Sequence, residues 1–163
     1  MEFAVRSLTD ADAEAASDVA QSSFRAHVAQ DWQPDACEVF YSRSTPAFLR
    51  EILPSCAYAG GAFHRDRLLG FVLMPQPSFV RMLFVRPDCL RAGVGRGLWE
   101  AARGHVEQHF PKVATVELNS SLHATGFYRR LGFVALSAPY LRDGSRAVRM
   151  ACWLPARTLD AAL

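Results

Sequence analysis

The sequence predicts an α/β (α+β) fold, a mixed and mostly antiparallel central sheet of about six or seven strands flanked by about four helices. Three observations predict it. Short strand-like runs and longer helix-like runs follow in the order β-α-α-α-β-β-β-α-β-α-β-β, which requires a sheet with helices on its faces. An apolar run over 78–85 leads through a turn containing Gly93, Gly95 and Gly97 into a helix-like stretch. The 163 residues, half of them apolar, fit one domain over 1–163 with one packed core.

Residues 3–8 alternate as a first strand. Thr9 is an N-cap residue with Asp12 three positions on as the reciprocal acid, so a helix is expected over 11–29. Residues 31–34 break it, and 35–43 form a short second helix. Thr45-Pro46 starts a third helix, because proline fits the first helical position, and this one ends near Pro54. Residues 56–63 and 68–74 are strands of a hairpin joined by His-Arg-Asp-Arg. Pro75 and Pro77 stop the second of these, and 78–85 is a further strand with Arg81 as its one charge. Beyond the glycine turn, Val94, Leu98, Ala102 and Val106 recur every four residues as the apolar stripe of a helix. Residues 112–118 form a strand, and 124–131 a short helix closed by Gly132 in the position after the last turn. Residues 133–136 and 146–154 are the last strands, with 137–146 read as a loop between them.

Charge and cysteine usage narrow the function classes. Residues 1–51 hold nine acids against four arginines, and the remainder fourteen bases against seven acids, so a net charge of +2 hides an acidic third and a basic remainder. The basic part suits an anionic ligand, and the acidic part a cationic acceptor. The bases form no single run, so nucleic acid is not expected as a partner. No apolar run nears the roughly 20 residues that span a bilayer, so no membrane partner is expected. The first residues lack a basic stretch followed by an apolar one, and Cys37, Cys56, Cys89 and Cys152 form no CxxC pair. A reducing, cytoplasmic protein without a zinc site is the expectation.

A strand that runs through glycines into a helix offers unpaired N–H groups and a partial positive charge, a cradle for phosphate. The turn is not a P-loop, which needs GxxxxGK[ST], nor a Rossmann turn, whose last glycine is spaced differently and which follows the first strand. The stretch VRPDCLRAGVGRGLWEAA (85–102) instead resembles the acyl-CoA-binding segment of the GNAT-type N-acetyltransferases. In that family a strand ending V-x-P is followed by [Q/R]-x-x-G-x-[G/A]. Here this falls on Leu90-Arg91-Ala92-Gly93-Val94-Gly95, with Leu90 where Gln or Arg is usual. A second stretch, VELNSSLHATGFYRRLGF (116–133), resembles the family's next strand and helix through Asn119, Ala124, Phe127, Tyr128, Gly132 and Phe133.

The resemblance implies transfer of an acetyl group from acetyl-CoA, as co-substrate and without a metal, to a small-molecule or peptide amine by direct attack. It implies two parallel strands splayed apart around the thioester, here 78–85 and 113–118. The backbone of Leu83 and Val85 would then hold the pantetheine arm, and Arg91, Ala92, Gly93, Val94, Gly95 and Arg96 would wrap the pyrophosphate. A backbone N–H near Phe84 would stabilise the oxyanion, and Tyr128 would protonate the leaving thiolate and touch the cofactor. Asn119 would contact the CoA arm or cap the following helix, with Ser120 and Ser121 as alternative caps. Several family members carry a glutamate base where this chain has Arg81, which leaves Glu117, His27, Asp31, His123 or a water chain as bases. The alternative is a non-catalytic acyl-CoA sensor or regulatory module of the same fold. The protein would be a monomer or a homodimer, the last strand being able to pair across a dimer.

Other residues carry readings of their own. His105 and His109, in HVEQH, match neither HExxH nor HxxEH and belong to a polar helix flank. Cys89 lies beside the turn but lacks a paired base for an acyl-cysteine route. Phe24, Trp32, Phe40 and Tyr41 form either core or an acceptor pocket between the first two helices, and the 137–146 loop would lie over that pocket.

Overall fold

The sheet forks in its middle, and everything functional is arranged around the fork. The computed structural model describes residues 2–155. Among them are strands β1 (Ala4–Ser7), β2 (Tyr58–His64), β3 (Arg67–Met74), β4 (Phe79–Val80), β5 (Met82–Val85), β6 (Thr115–Ser120), β7 (Val134–Ala135), β8 (Tyr140–Arg142) and β9 (Ser145–Trp153). The helices are α1 (Ala13–His27), α2 (Pro34–Ser42), α3 (Pro46–Ile52), α4 (Val94–His109) and α5 (Thr125–Arg130). One half-sheet runs β1-β2-β3-β5, all antiparallel, and the other runs β4-β6-β9-β7 with β8 on β9.

The strand expected over 78–85 is two strands, broken at Arg81. β4 pairs in parallel with β6 at Phe79–Glu117 and Val80–Leu118, whereas β5 pairs with β3 in the other half-sheet. The Arg81 N–H donates to Leu73 C=O at 2.9 Å as the chain changes partner. Past Leu118, β6 bonds only β9, and the fork opens.

Two apolar layers hold the halves. α4 lies on one face, with Val94, Leu98, Ala102 and Val106 buried against Val72, Val116 and Met150. α1 and α3 cover the other face, burying Val19, Ala20 and Leu49 against Phe71 and Leu73. The expected four-residue stripe of α4 is therefore its core face.

Three sequence expectations shift. The five helices among the described residues are the number in the expected element order, against the fold class's count of about four. The first begins at Ala13, behind a 3-10 turn over Asp10–Asp12, instead of at residue 11. β6 starts three residues late because Phe110 and Val113 close a turn with a 2.9 Å N–H···O bond. The supposed loop over 137–146 forms the β8–β9 hairpin, whose turn residues Asp143 and Gly144 have φ of 49° and 78°. Positive φ at both central residues defines a type I′ turn, which Asp-Gly favours.

The start of α1 carries a stability prediction. Both the N–H and the hydroxyl of Thr9 donate to Asp12 Oδ2, at 2.8 and 3.0 Å, and Arg6 grips the same carboxylate through both Nη atoms at 2.9 Å. The Arg6 hydrogen bonds, helped by Thr9 against partial burial, lower the Asp12 carboxyl from 3.8 to about 2. A carboxyl depressed in the folded state stabilises above its ordinary value and loses that contribution as pH falls from about 4 to about 2. Asp12→Asn is expected to cost about 1 kcal/mol at pH 7. It also makes the fall in stability over that acid window shallower. Urea unfolding midpoints measured from pH 7 to pH 2 check both effects.

Candidate active site

The turn before α4 is built from backbone that side-chain-bearing residues avoid. Arg91 and Gly93 both sit in the left-handed region, with φ of 63° and 80°. A Cβ on Gly93 would meet nothing within 4 Å, so its backbone angle, not crowding, calls for glycine there. The two left-handed residues turn successive amides outward. Among the described residues, none of the N–H groups of Arg91 through Arg96 has an acceptor, and the first that does is Gly97, bonded to Gly93 C=O at 2.9 Å. Unbonded amides at a helix start form a cradle for an anion. Gly95 is small for another reason: a Cβ there would lie 2.8 Å from Cζ of Phe127, where α4 crosses α5. Gly97 faces Phe3 in the same way, at 2.8 Å.

The register of β5 decides which amides face the fork. The Arg86 N–H donates to Leu69 C=O at 2.8 Å. In an antiparallel ladder the bonded positions alternate, so Phe84 spends its N–H and C=O on Phe71, its partner in β3. Leu83 and Val85 point theirs into the fork. The Phe84 amide is thus spent within the sheet, and the peptide groups of Leu83 and Val85 are the ones left open.

Tyr128 is locked by the end of α5. Phe133 N–H reaches back to Tyr128 C=O at 3.0 Å and Gly132 N–H to Arg129 C=O at 3.1 Å, with Gly132 at φ 94°. This is a Schellman cap, and it explains the spacing of the Tyr-x-x-x-Gly-Phe motif. The ring packs between Phe127 and Phe133, at 5.0 and 5.5 Å between centroids. Among the described residues nothing hydrogen-bonds its hydroxyl, and burial pushes the phenol well above its ordinary value. The group therefore keeps its proton at neutral pH.

Two clefts meet at this tyrosine. The first, of about 610 Å³, lies along β5, the Leu90–Arg96 turn and α5. Among the described residues, its lining holds Arg91, Arg96 and Arg130 and no carboxylate. The second, of about 490 Å³, lies between α2, the β4–β5 break and the β8–β9 hairpin. Both are lined by Val28, Leu83, Phe84, Ser121, Ala124 and Tyr128.

Most residues picked out from the sequence converge here. Leu83, Phe84, Val85, Arg91, Gly93, Val94, Gly95, Arg96 and Tyr128 line the first cleft. Ala92 does not: it packs inward against the core beneath α4. Asn119 lines the second cleft and accepts a 3.0 Å bond from the Tyr140 hydroxyl, so it neither caps α5 nor reaches the first cleft. Leu90, exposed on the wall of the first cleft, stands where the family has Gln or Arg. Phe24, Trp32 and Phe40 line the second cleft, Tyr41 stands outside it, and the hairpin contributes Asp143 and Ser145.

The base candidates separate. Glu117 is held by Arg149 at 2.6 Å and lines neither cleft, and Asp31 lines neither. His27 and His123 line the first cleft, stacked at 4.6 Å. Desolvation, then the neighbouring His123, lowers the His27 pKa, and its Nε2 is buried without a partner among the described residues. Cys89 also lines this cleft, and burial, then Asp88, raises its thiol, which opposes a nucleophilic role. His105 and His109 stack on each other at 4.2 Å, outside both clefts. Sequence reasoning missed Arg130 in the first cleft and Arg43 in the second, since only the fold brings them to these walls.

A sheet forked beside a short parallel pair, with an anion cradle at the following helix start, is the architecture of the GNAT acetyltransferases. The chain belongs to that family: the acetyltransferase (GNAT) domain matches residues 28–154. It is 26% identical over 93 residues, 57% of its length, to the peptidyl-lysine N-acetyltransferase YiaC of Escherichia coli (strain K12). The matched region spans 61% and 60% of the length of YiaC and of the related YjaB. Its fold is similar to that of a GCN5-related N-acetyltransferase from Rhodopseudomonas palustris, with a TM-score of 0.81 at 20% identity, over 94% of this chain and 97% of that one. It is also similar to the PaiA N-acetyltransferase of Thermoplasma acidophilum, determined in complex with coenzyme A. There the TM-score is 0.74 at 20% identity, over 94% of this chain and 100% of the other. No described helix is long and apolar enough to cross a membrane.

Proposed function

We propose that the protein transfers an acetyl group from acetyl-CoA to an amine by direct attack, with the two substrates entering from opposite sides of the fork. The observation that carries this is the meeting of the two clefts at Tyr128, one of them ending in a cradle of unbonded amides. The residues fit CoA. The Arg91–Arg96 amides and the guanidiniums of Arg91 and Arg96 suit a pyrophosphate, and the open peptide groups of Leu83 and Val85 suit the amides of a pantetheine arm. Ala92 keeps a proposed CoA contact through its N–H alone, Asn119 leaves the set, and Arg130 joins it.

Acetyl-CoA would supply a thioester carbon open to attack and a thiolate leaving group. Leu83 N–H takes the oxyanion role first assigned to Phe84, donating to the acyl oxygen as negative charge develops there. The new C–N bond forms as the C–S bond breaks. Tyr128 gives its proton to the departing sulfur, the proton shed by the acylated nitrogen passes to solvent, and a proton from solvent restores the phenol. Buried in an apolar pocket, Tyr128 acts as donor and not as base.

Arg91→Ala and Arg96→Ala are each expected to weaken acetyl-CoA binding a few-fold, because solvent-exposed charges contribute modestly. Raising salt should weaken the wild type more than either variant. Calorimetric titration at two salt concentrations checks this. Initial-rate kinetics test the direct route: intersecting double-reciprocal lines are expected, and parallel lines would replace direct attack with a covalent acyl-enzyme.

A further inference from the structure

The second cleft has the wrong charge for a polycationic or lysine-like acceptor. Among the described residues, the acids of the first third do not line it: Asp12 is held by Arg6, Glu14 by Arg50, and the one carboxylate on the cleft wall is Asp143. Asp143 belongs to the hairpin turn, is almost fully exposed and sits 3.6 Å from its neighbour Arg142. Two guanidiniums line the same cleft. Arg43 ends α2, and Arg81 stands at the break between β4 and β5. Among the described residues, neither has a carboxylate within ion-pair distance. Arg81 lies 5.5 Å above the Phe48 ring, a contact that leaves its hydrogen-bonding edge unused.

Aromatic and aliphatic side chains make up most of the remaining wall, with Asn119, Ser121, Tyr128 and Ser145 as its other polar members. Phe40 stacks on the buried Phe24 at 3.8 Å and meets Phe84 edge-on at 5.6 Å, and Trp32 closes on Phe24 at 5.1 Å. The hairpin tip is tied over this wall, because Gln33 N–H donates to Gly144 C=O at 2.8 Å and Trp32 Nε1 to Arg146 C=O at 3.2 Å. The residues shared by the two clefts include no carboxylate and no imidazole. An acceptor amine arriving there meets apolar side chains, backbone and the hydroxyl residues Ser121 and Tyr128, with the two guanidiniums elsewhere on the second cleft's wall.

We infer that the acceptor is an α-amino acid with an apolar or aromatic side chain. Its carboxylate pairs with Arg43 and Arg81, its side chain lies against Trp32 and Phe40, and its amine faces Tyr128 across Phe84. This rests on the acetyl-transfer reading and gives that reading its substrate class. It also gives Arg81 a use. At the position where the family resemblance implies a glutamate base in several members, a cation repels ammonium groups that bring no anion and holds those that do.

The test compares L-phenylalanine and L-leucine with phenethylamine and isoamylamine, which lack the carboxylate, and with a lysine peptide blocked at both ends. The kcat/KM for the amino acids is expected to exceed that for the decarboxylated amines by about ten- to a hundredfold, the range for a hydrogen bond to a charged partner. Arg81→Gln and Arg43→Gln should each shrink this preference, with acetyl-CoA affinity unchanged as the control for folding. Equal or better use of the plain amines or of the peptide would overturn the inference. Binding is followed separately by tryptophan emission, with Trp32→Phe identifying the reporter. If no amine turns over, the transfer reading fails. Tighter binding of L-phenylalanine than of phenethylamine, lost in Arg81→Gln, would still uphold the carboxylate site, and equal binding would remove it.

Discussion

Tyr128→Phe is expected to lower kcat by about a hundredfold to ten-thousandfold, the usual worth of a positioned proton donor. Acetyl-CoA affinity should stay within about twofold. The two effects separate because the ring is held by packing and the hydroxyl by nothing. Phe127 and Phe133 flank the ring, the Schellman cap fixes its backbone, and no described group bonds the oxygen. Phenylalanine preserves all of that packing and deletes only the proton. The pH dependence follows from the same burial. A phenol raised above its ordinary value near 10 remains a donor throughout the neutral and mildly alkaline range, so no alkaline fall in rate below about pH 10 belongs to Tyr128. Pre-steady-state thiol release by the variant checks the chemical step directly, and unchanged turnover would remove Tyr128 from the mechanism.

Gly93→Ala is expected to do the reverse, raising the acetyl-CoA Kd about five- to thirtyfold while sparing kcat at saturation. A Cβ would stand in open space, so no clash arises. The cost lies in the backbone: an alanine held at φ 80° is disfavoured by about 1–2 kcal/mol. Relief of that strain turns the Arg91–Arg96 amides away from the cleft. Calorimetry with acetyl-CoA, beside a saturating-substrate rate, reads both halves of the prediction. The opposite signatures of these variants divide the site into a cradle that binds and a tyrosine that reacts.

What the sequence revealed depended on how local its cause was. Gly93, Gly132 and the stripe from Val94 to Val106 were legible because left-handed backbone and helical periodicity leave marks in a few adjacent residues. The fork was not. Residues 78–85 read as one apolar strand, and nothing along the chain says that Phe79 and Val80 pair with β6 while Met82 to Val85 pair with β3. That the Phe84 amide is spent on β3 was hidden for a related reason, since amide direction depends on register with a strand far away in sequence. The β8–β9 hairpin was a missed local signal, because Asp143-Gly144 is a strong turn pair lying in a stretch read as loop. Arg43 and Arg130 reach the clefts only through tertiary placement. The expectation of a cationic acceptor rested on net charge along the chain, and among the described residues none of the acids of the first third lines the second cleft.

The central claim is that acyl transfer occurs across the fork. Its most direct test is to count free CoA thiol and acetylated amine together, using the wild-type protein with acetyl-CoA and a panel of amines. The account predicts amine-dependent thiol release matched one to one by acetylated product. Saturable acetyl-CoA binding with no amine-dependent thiol release would contradict it and leave a protein that binds the acyl donor without using it.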